Sequence, residues 1–302
     1  MKIAVLMSTY NGHYFLDKQL KSIAEQTVAC DITLYIRDDA STDDTCSIIN
    51  KWINKIDIVL FKGDNIGPAR SFWDLFMNKN IQADYYAFCD QDDIWDKDKI
   101  ERGINRLKNE VKPALWCSNC RLINSKGELL KDVMTYELPN LSITSQLVCG
   151  SIQGCAMIFN QKLRDCVIKK NPLPIPMHDF VVITYAIAMG KVIYDSAPSF
   201  CYRLHENNVV AKNGKNVIKR CLNSLNKWFS NKHKYETSNY AKMFLEDNSD
   251  YIDAVTKEYI LDFINSKRNF SLRLKIINSP LTSTDNKAAL RSFKIRVLFG
   301  II

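Results

Sequence analysis

Tyr85-Tyr86-Ala87-Phe88-Cys89 is an aromatic, apolar run that stops abruptly at Asp90-Gln91-Asp92-Asp93. Such a run, closed by turn-forming acids, predicts a buried β-strand with carboxylates beginning where the strand ends. Toward the N-terminus the same kind of strand recurs at Ile3 to Met7, Ile32 to Ile36 and Ile58 to Phe61, alternating with helical stretches at Tyr14 to Gln26, Thr42 to Ile53 and Pro68 to Met77. Asp17, Leu20, Ile23 and Ala24 fit a helix buried on one face, and Ser41-Thr42-Asp43-Asp44 supplies an N-cap cluster for the next. The alternation implies an α/β fold, a mostly parallel sheet flanked by helices. Ligands of open α/β sheets bind outside the carboxyl ends of the strands, so the polar stretches 8–12, 37–41 and 90–93 are expected to converge on one crevice.

A chain of 302 residues with ordinary apolar and charged fractions is long enough for one large core. Its net charge of +8 is unevenly spread: residues 1–210 hold 24 basic and 25 acidic side chains, residues 211–302 hold 17 and 8. After about Lys212 the pattern changes to helical stretches rich in Lys, Asn and aromatics. The expected division is therefore 1–211, an α/β domain, and 212–302, a basic helical C-terminal extension. The apolar run Ile3 to Met7 is too short for a signal-peptide core, and no stretch reaches the roughly 18 to 20 apolar residues of a spanning helix. A cytoplasmic protein is expected. The ten cysteines are scattered and read as reduced thiols; Cys117-Ser118-Asn119-Cys120 lacks a second pair for zinc and sits in a strand-like run.

Carboxylates two apart on a sharp turn, Asp90 and Asp92, can face a hard divalent cation that also holds phosphate oxygens. Acidic turns are also common caps, so the surroundings matter. The set Ser8-Thr9-Tyr10-Asn11-Gly12, Arg37-Asp38-Asp39-Ala40-Ser41-Thr42-Asp43, Asn65-Ile66-Gly67, Asp90 to Trp95, Gly154-Cys155, His178-Asp179 and Tyr202-Arg203-Leu204-His205 resembles the family-2 glycosyltransferases of GT-A fold. The motifs come in that family's order over roughly residues 1–210. The Cys-Asp-Gln-Asp-Asp-Ile-Trp, Gly-Cys-Ala-Met and His-Asp versions look most like bacterial rhamnosyltransferases and similar surface-polysaccharide enzymes.

The resemblance implies an inverting transfer of one sugar from a nucleotide-diphosphate sugar, dTDP-rhamnose first and a UDP-sugar next, to a saccharide or lipid-linked saccharide acceptor. It implies that Ser8, Tyr10, Asn11, Asn65 and Gly154 line the donor site, and that Asp39 accepts a hydrogen bond from the base. An aromatic ring can stack on a base, and a carboxylate pairs with the imide N–H of uracil or thymine but not with cytosine. Asp38 is expected to serve the loop itself. Asp90, shared with the ribose, and Asp92 are implied metal ligands for Mn2+ or Mg2+, with Asp93 structural. His205 is either a third ligand or a structural histidine, and Arg203 either meets phosphate or pairs with an acid. Asp179 is implied as the general base, at the start of a buried helix from Phe180 to Met189 where an N-cap also belongs. Gly154 and Cys155 allow close backbone approach or simply pack small. A strand from Val192 to Tyr194 and a turn at Pro198 are expected before Tyr202.

Processive relatives carry a Gln-x-x-Arg-Trp segment and spanning helices; this sequence has neither, which favours a single transfer per encounter. A sugar nucleotidyltransferase is disfavoured because no Gly-rich phosphate loop follows the first strand. A non-catalytic nucleotide-sugar-binding protein would need neither Asp92 nor Asp179. In the tail, Lys287, Arg291 and Lys294 share one arc of a helix and Leu290, Phe293, Val297 and Ile301 the adjoining one. That basic amphipathic pattern suits either packing on the domain or peripheral docking on an anionic membrane surface, and no nucleic-acid-binding module is recognisable.

Overall fold

The computed structural model describes residues 1–150, 152–174, 176–206 and 236–302. They form two compact units. The first comprises Met1–Leu138, Ile152–Ala186 and Gly190–His205. Its elements in chain order are β1 (Lys2–Thr9), α1 (Leu16–Ala24), β2 (Asp31–Asp38), α2 (Thr45–Trp52), β3 (Asp57–Lys62), α3 (Pro68–Met77), β4 (Tyr85–Cys89), β5 (Ile94–Trp95), α4 (Lys99–Leu107), β6 (Ala114–Ile123) and β7 (Leu129–Lys131). After α5 (Ile143–Val148), which belongs to the second unit, come β8 (Met157–Asn160), α6 (Gln161–Lys170), α7 (His178–Met189) and β9 (Lys191–Arg203).

The sheet runs β3-β2-β1-β4-β8-β6-β9-β5, with β7 paired to β6. From β3 to β4 all neighbours are parallel, so the carboxyl ends of β2, β1 and β4 stand side by side. Helices cover both faces of this half, and β1 accordingly reads as a continuous apolar run with Ile3 through Met7 buried. Val5 and Met7 join Leu16, Leu20 and Ile23 of α1 in one core, while Phe72 and Phe76 of α3 stack with Phe88 and Phe159. Beyond β4 the sheet is mixed, because β8 enters antiparallel between β4 and β6.

Two local expectations are corrected. Pro198 makes no turn: β9 runs through it for 13 residues, and the register against β6 slips between Ser118↔Asp195 and Asn119↔Pro198. A proline has no N–H to give a ladder, and a bulge is where a strand tolerates that loss. The helix after Asp43 begins at Thr45, later than expected, because the Asp43 carboxylate accepts both the Thr45 N–H (3.0 Å) and its hydroxyl (2.5 Å). Cys117 and Cys120 are thiols buried on β6, and burial pushes Cys120 up to about 12.

The second unit holds residues 139–150, Ile187–Met189, and from Glu236 onward α8 (Glu236–Asn248), α9 (Ala254–Asn265), α10 (Phe270–Asn278) and α11 (Lys287–Leu298). The expected boundary at Lys212 lies outside the described residues. Residues 139–150 fall in this unit: α5 packs against α9 and α11, and the Asn140 N–H donates to Asp285 at 2.7 Å. Of the two readings of the tail's apolar arc, packing is the one realised. Phe293, Val297 and Ile301 are buried within this unit, Phe293 stacking on Phe263 at 5.6 Å. The exposed apolar side chains of this unit include Phe270 and Leu274, four apart on α10, and Ile295, Leu298 and Phe299, spaced three and four apart at the end of α11. No helix among the described residues is long and apolar enough to cross a membrane.

Candidate active site

The three polar stretches meet as the parallel register requires. At the end of β1, Tyr10 is half exposed while its backbone is held on both sides by Gln91: the Tyr10 N–H donates to Gln91 Oε1 and Gln91 Nε2 donates to the Tyr10 carbonyl, each at 3.0 Å. Ser8 hydrogen-bonds Ser71 of α3 at 2.6 Å. Asn11, in the left-handed region at φ 47°, accepts the Thr42 N–H on its side chain (2.8 Å) and gives its own N–H to Ser41 (2.9 Å), tying the β1 loop to the β2 loop. A Cβ on Gly12 would stand against Gln91 Oε1, so a side chain there would displace the Gln91 amide.

Asp38 serves its loop, accepting from Thr9 (2.9 Å) and from the backbone and hydroxyl of Ser41 (2.9 and 2.6 Å). Asp39 has a duty the sequence did not reveal. Only 2 % exposed, it pairs with Arg37 and accepts the N–H groups of Ile66 (3.0 Å) and Gly67 (2.9 Å). Gly67 holds φ 83° there so that Pro68 can open α3. Any base contact by Asp39 has to use the lone pairs left over from these bonds. Asn65 is exposed beside this turn.

The acids after β4 separate into two levels. Asp92 reaches His205, which follows β9, with Oδ2 to Nε2 at 2.7 Å. Arg203 is fully buried and braces the turn from behind: its N–H donates to Asp93 (3.1 Å), its Nε to the Asp92 carbonyl (2.7 Å) and its Nη1 to the Asn124 carbonyl (3.2 Å). These guanidinium bonds thus go to backbone carbonyls, while the backbone N–H makes the contact with Asp93. Deeper, the ligand atoms of Asp90, Asp93 and Cys155 lie within 4.8 Å of one another. Burial, then the neighbouring Asp92 charge, pushes Asp90 up to about 7; the Cys155 thiol and Lys99 oppose this and Asp179 reinforces it. Asp93, fully buried, is pushed well above the usual carboxylate range by the same burial and by Asp92 and Asp90.

Gly154 lies in a one-turn 3₁₀ helix, Gly154–Ala156, just before β8. Its N–H donates to Asp179 Oδ2 at 3.0 Å, while the Phe180 N–H donates to Asp179 Oδ1 at 2.8 Å. A Cβ on Gly154 would stand 2.9 Å from His178 Nε2 and 3.3 Å from the Asp179 Cβ, so the small residue is packed closely against these side chains. His178 is buried between Phe72 (4.2 Å, stacked) and Phe88 (4.7 Å, edge-on), and burial lowers its pKa against the opposing Asp179 charge. A neutral ring results. Neither nitrogen has a hydrogen-bond partner among the described residues.

These groups suit a divalent cation on chemical grounds. The Asp92 charge raises the proton affinity of Asp90 and Asp93, the condition a cation relieves. Asp92 and His205 already bring a carboxylate oxygen and an imidazole nitrogen to one point, an oxygen and nitrogen set suited to manganese or magnesium. Cys155 does not fit as a ligand, because burial and the adjacent acids push its thiol well up and keep it protonated.

Two side chains at the site escaped the sequence reading. Gln91 is the interior residue of the acidic motif, and its role needs the loop fold. Lys99 had a signal: Lys99, Gly103 and Leu107 are spaced by four, so Lys99 falls on the buried stripe of α4.

A half-parallel sheet with acids at the ends of its strands and a carboxylate held at a helix start defines a nucleotide-sugar-using transferase, and comparison agrees. The chain belongs to glycosyl transferase family 2, whose profile matches residues 4–165. The protein is a glycosyltransferase with the GT-A fold. It is 29 % identical over 283 residues to the dTDP-rhamnosyl transferase RfbG of Shigella flexneri, covering 89 % of this chain and 94 % of that one. An uncharacterized glycosyltransferase of Haemophilus influenzae is 35 % identical over 141 residues, 44 % of this chain and 52 % of its own. Among solved structures, S. aureus TarS 1-349 with UDP-GlcNAc superposes with a TM-score of 0.64 at 15 % identity, over 99 % of this chain and 90 % of that one. The mannosyltransferase PcManGT of Pyrobaculum calidifontis, solved with GDP-Man and Mn2+, gives 0.51 at 14 % identity, over 98 % and 87 %.

Proposed function

We propose that this glycosyltransferase moves one sugar, with inversion, from a nucleotide-diphosphate donor to a saccharide or lipid-linked saccharide acceptor in bacterial surface-polysaccharide synthesis. The first donor is dTDP-rhamnose, supported by the likeness to RfbG, and a UDP-sugar is next. The observation that carries the reading is Asp179: two backbone N–H groups hold its carboxylate at the first turn of α7, beside Asp90. Such a group accepts the proton of the acceptor hydroxyl as that oxygen attacks the anomeric carbon. A new glycosidic C–O bond forms, the bond to the diphosphate breaks, and the nucleoside diphosphate leaves with the electron pair. Asp90, Asp92 and His205 would hold Mn2+ or Mg2+, which when bound supplies Lewis-acid neutralisation of the leaving diphosphate. Ser8, Tyr10, Asn11, Asn65 and Gly154 would border the donor, with Tyr10 offering the ring for the base.

With family membership established, the nucleotidyltransferase and non-catalytic alternatives have no remaining support. The deciding experiment incubates the protein with dTDP-rhamnose, UDP-GlcNAc and GDP-mannose, each with an acceptor panel, in Mn2+, Mg2+ or EDTA. Nuclear magnetic resonance then assigns the product's anomeric configuration. A product with the donor's own anomeric configuration would overturn inversion, and undiminished turnover in EDTA would overturn the metal.

The same reading places the enzyme at the cytoplasmic face of a membrane, where a lipid-linked acceptor would lie. Its support is the exposed Phe270, Leu274, Ile295, Leu298 and Phe299 within a segment, 263–302, that holds eight Lys and Arg against one acid, Asp285.

A further inference from the structure

Among the described lysines, Lys99 is a buried one. It is 0 % exposed at the start of α4, with its ammonium over the rings of Trp95 (4.5 Å) and Phe200 (4.0 Å). The ammonium donates a hydrogen bond to the carbonyl of Cys155. An ammonium stripped of water is costly unless something specific compensates it, and a purely packing role would be filled better by Leu or Met. The compensation is the cation–π cage, the carbonyl, and the buried Asp93 and Asp90 above it.

The carbonyl that Lys99 holds belongs to the 3₁₀ turn Gly154–Ala156, and the first N–H of that turn is the one donated to Asp179 at 3.0 Å. Lys99 and Asp179 are thus joined through two consecutive residues, Cys155 and Gly154. The turn has little room to shift, since Gly154 already lies against His178 and Asp179. We propose that Lys99 is a positioning residue for sugar transfer: its ammonium anchors the Cys155 carbonyl and so aims the Gly154 N–H at the Asp179 carboxylate. The inference rests on the reading of Asp179 as the base, and it extends the active site to a side chain that no substrate touches.

The test is a double-mutant cycle on the full chain between Lys99→Met and Asp179→Asn, read as kcat, donor KM and nucleotide affinity. Lys99→Met is expected to lower kcat about 10-fold or more in the native background and less than about 2-fold in the Asp179→Asn background, with nucleotide affinity unchanged. A packing role would instead cost the same factor in both backgrounds, and that result overturns the proposal, as does an unaltered kcat. Normal turnover by Asp179→Asn alone would sink the base assignment, a separate failure. If Lys99→Met does not fold by circular dichroism, Lys99→Leu takes its place in the cycle under the same criteria, because it too removes the donor to the Cys155 carbonyl.

Discussion

Gln91 clasps the backbone of Tyr10, its amide oxygen taking the Tyr10 N–H and its amide nitrogen giving to the Tyr10 carbonyl, both at 3.0 Å. This pair joins the loop expected to receive the base to the turn expected to receive the cation. Gln91→Ala should therefore loosen donor binding without touching the chemistry: donor KM is expected to rise about 5- to 10-fold with kcat nearly constant, the size of one lost bidentate polar contact. Steady-state kinetics with saturating acceptor checks this. An equal fall in kcat would place Gln91 in the chemical step instead.

Asp92→Asn removes a charge from a turn and nothing from the core. The fold should survive, with an unchanged melting curve, while metal-dependent turnover falls by about 100-fold or more and the metal concentration for half-maximal rate rises. Titrating Mn2+ against rate in both proteins decides it, and near-native turnover at limiting Mn2+ would remove Asp92 from the ligand set.

Asp179→Asn keeps the shape but cannot take a proton, and it leaves one of the two N–H groups without its acceptor. Turnover should fall by about 10² to 10⁴ with nucleotide affinity nearly unchanged. Calorimetric titration of the nucleoside diphosphate separates this from a structural role, in which binding would weaken as well.

Asp43 yields a pH-dependent stability. Partial burial pulls its pKa up, and is outweighed by hydrogen bonds from the Thr45 hydroxyl, the His13 ring and the backbone of both residues, which hold it down at about 2. A carboxyl depressed on folding adds stability above its unfolded pKa near 4, and that stability is lost as pH falls through the folded value. Asp43→Asn is expected to be less stable than native protein by on the order of 1 kcal/mol at pH 6, allowing for solvent screening, with the gap closing between pH 4 and pH 2. Denaturant midpoints across that range measure it, and a gap that stays constant would show the effect to be independent of charge.

Leu298→Ser with Phe299→Ser leaves the buried Phe293 and Val297 in place and strips the exposed end of α11. Native protein should co-sediment with vesicles containing anionic lipid at low salt and release at high salt, each basic group near the surface contributing about 1 kcal/mol. The double variant should bind clearly less at equal charge. Native protein that ignores anionic vesicles would remove the membrane reading.

Much of this protein was legible in its residues alone. The alternation from Ile3 to Cys89 determined the parallel half of the sheet, because β-rich runs and helical runs differ in period and because parallel neighbours need crossovers. The order of motifs from Ser8 to His205 determined the family. What lay beyond reach depended on contacts between residues distant in sequence. Pro198 looks like a turn, and only its place beside the β6 bulge makes it strand. Phe293, Val297 and Ile301 form an arc that could equally face lipid, and only the packing of α9, α10 and α11 assigned it to a core. Asp39 also holds the N–H groups of Ile66 and Gly67, 27 and 28 residues away, a duty that only the fold reveals. Helical and strand periods record which side of an element is buried, and carry no information on what meets it. Lys99 shows the division most plainly: its spacing with Gly103 and Leu107 determined that it points inward, while Trp95, Phe200 and the Cys155 carbonyl, brought together by the fold, decided that a charge could stay there.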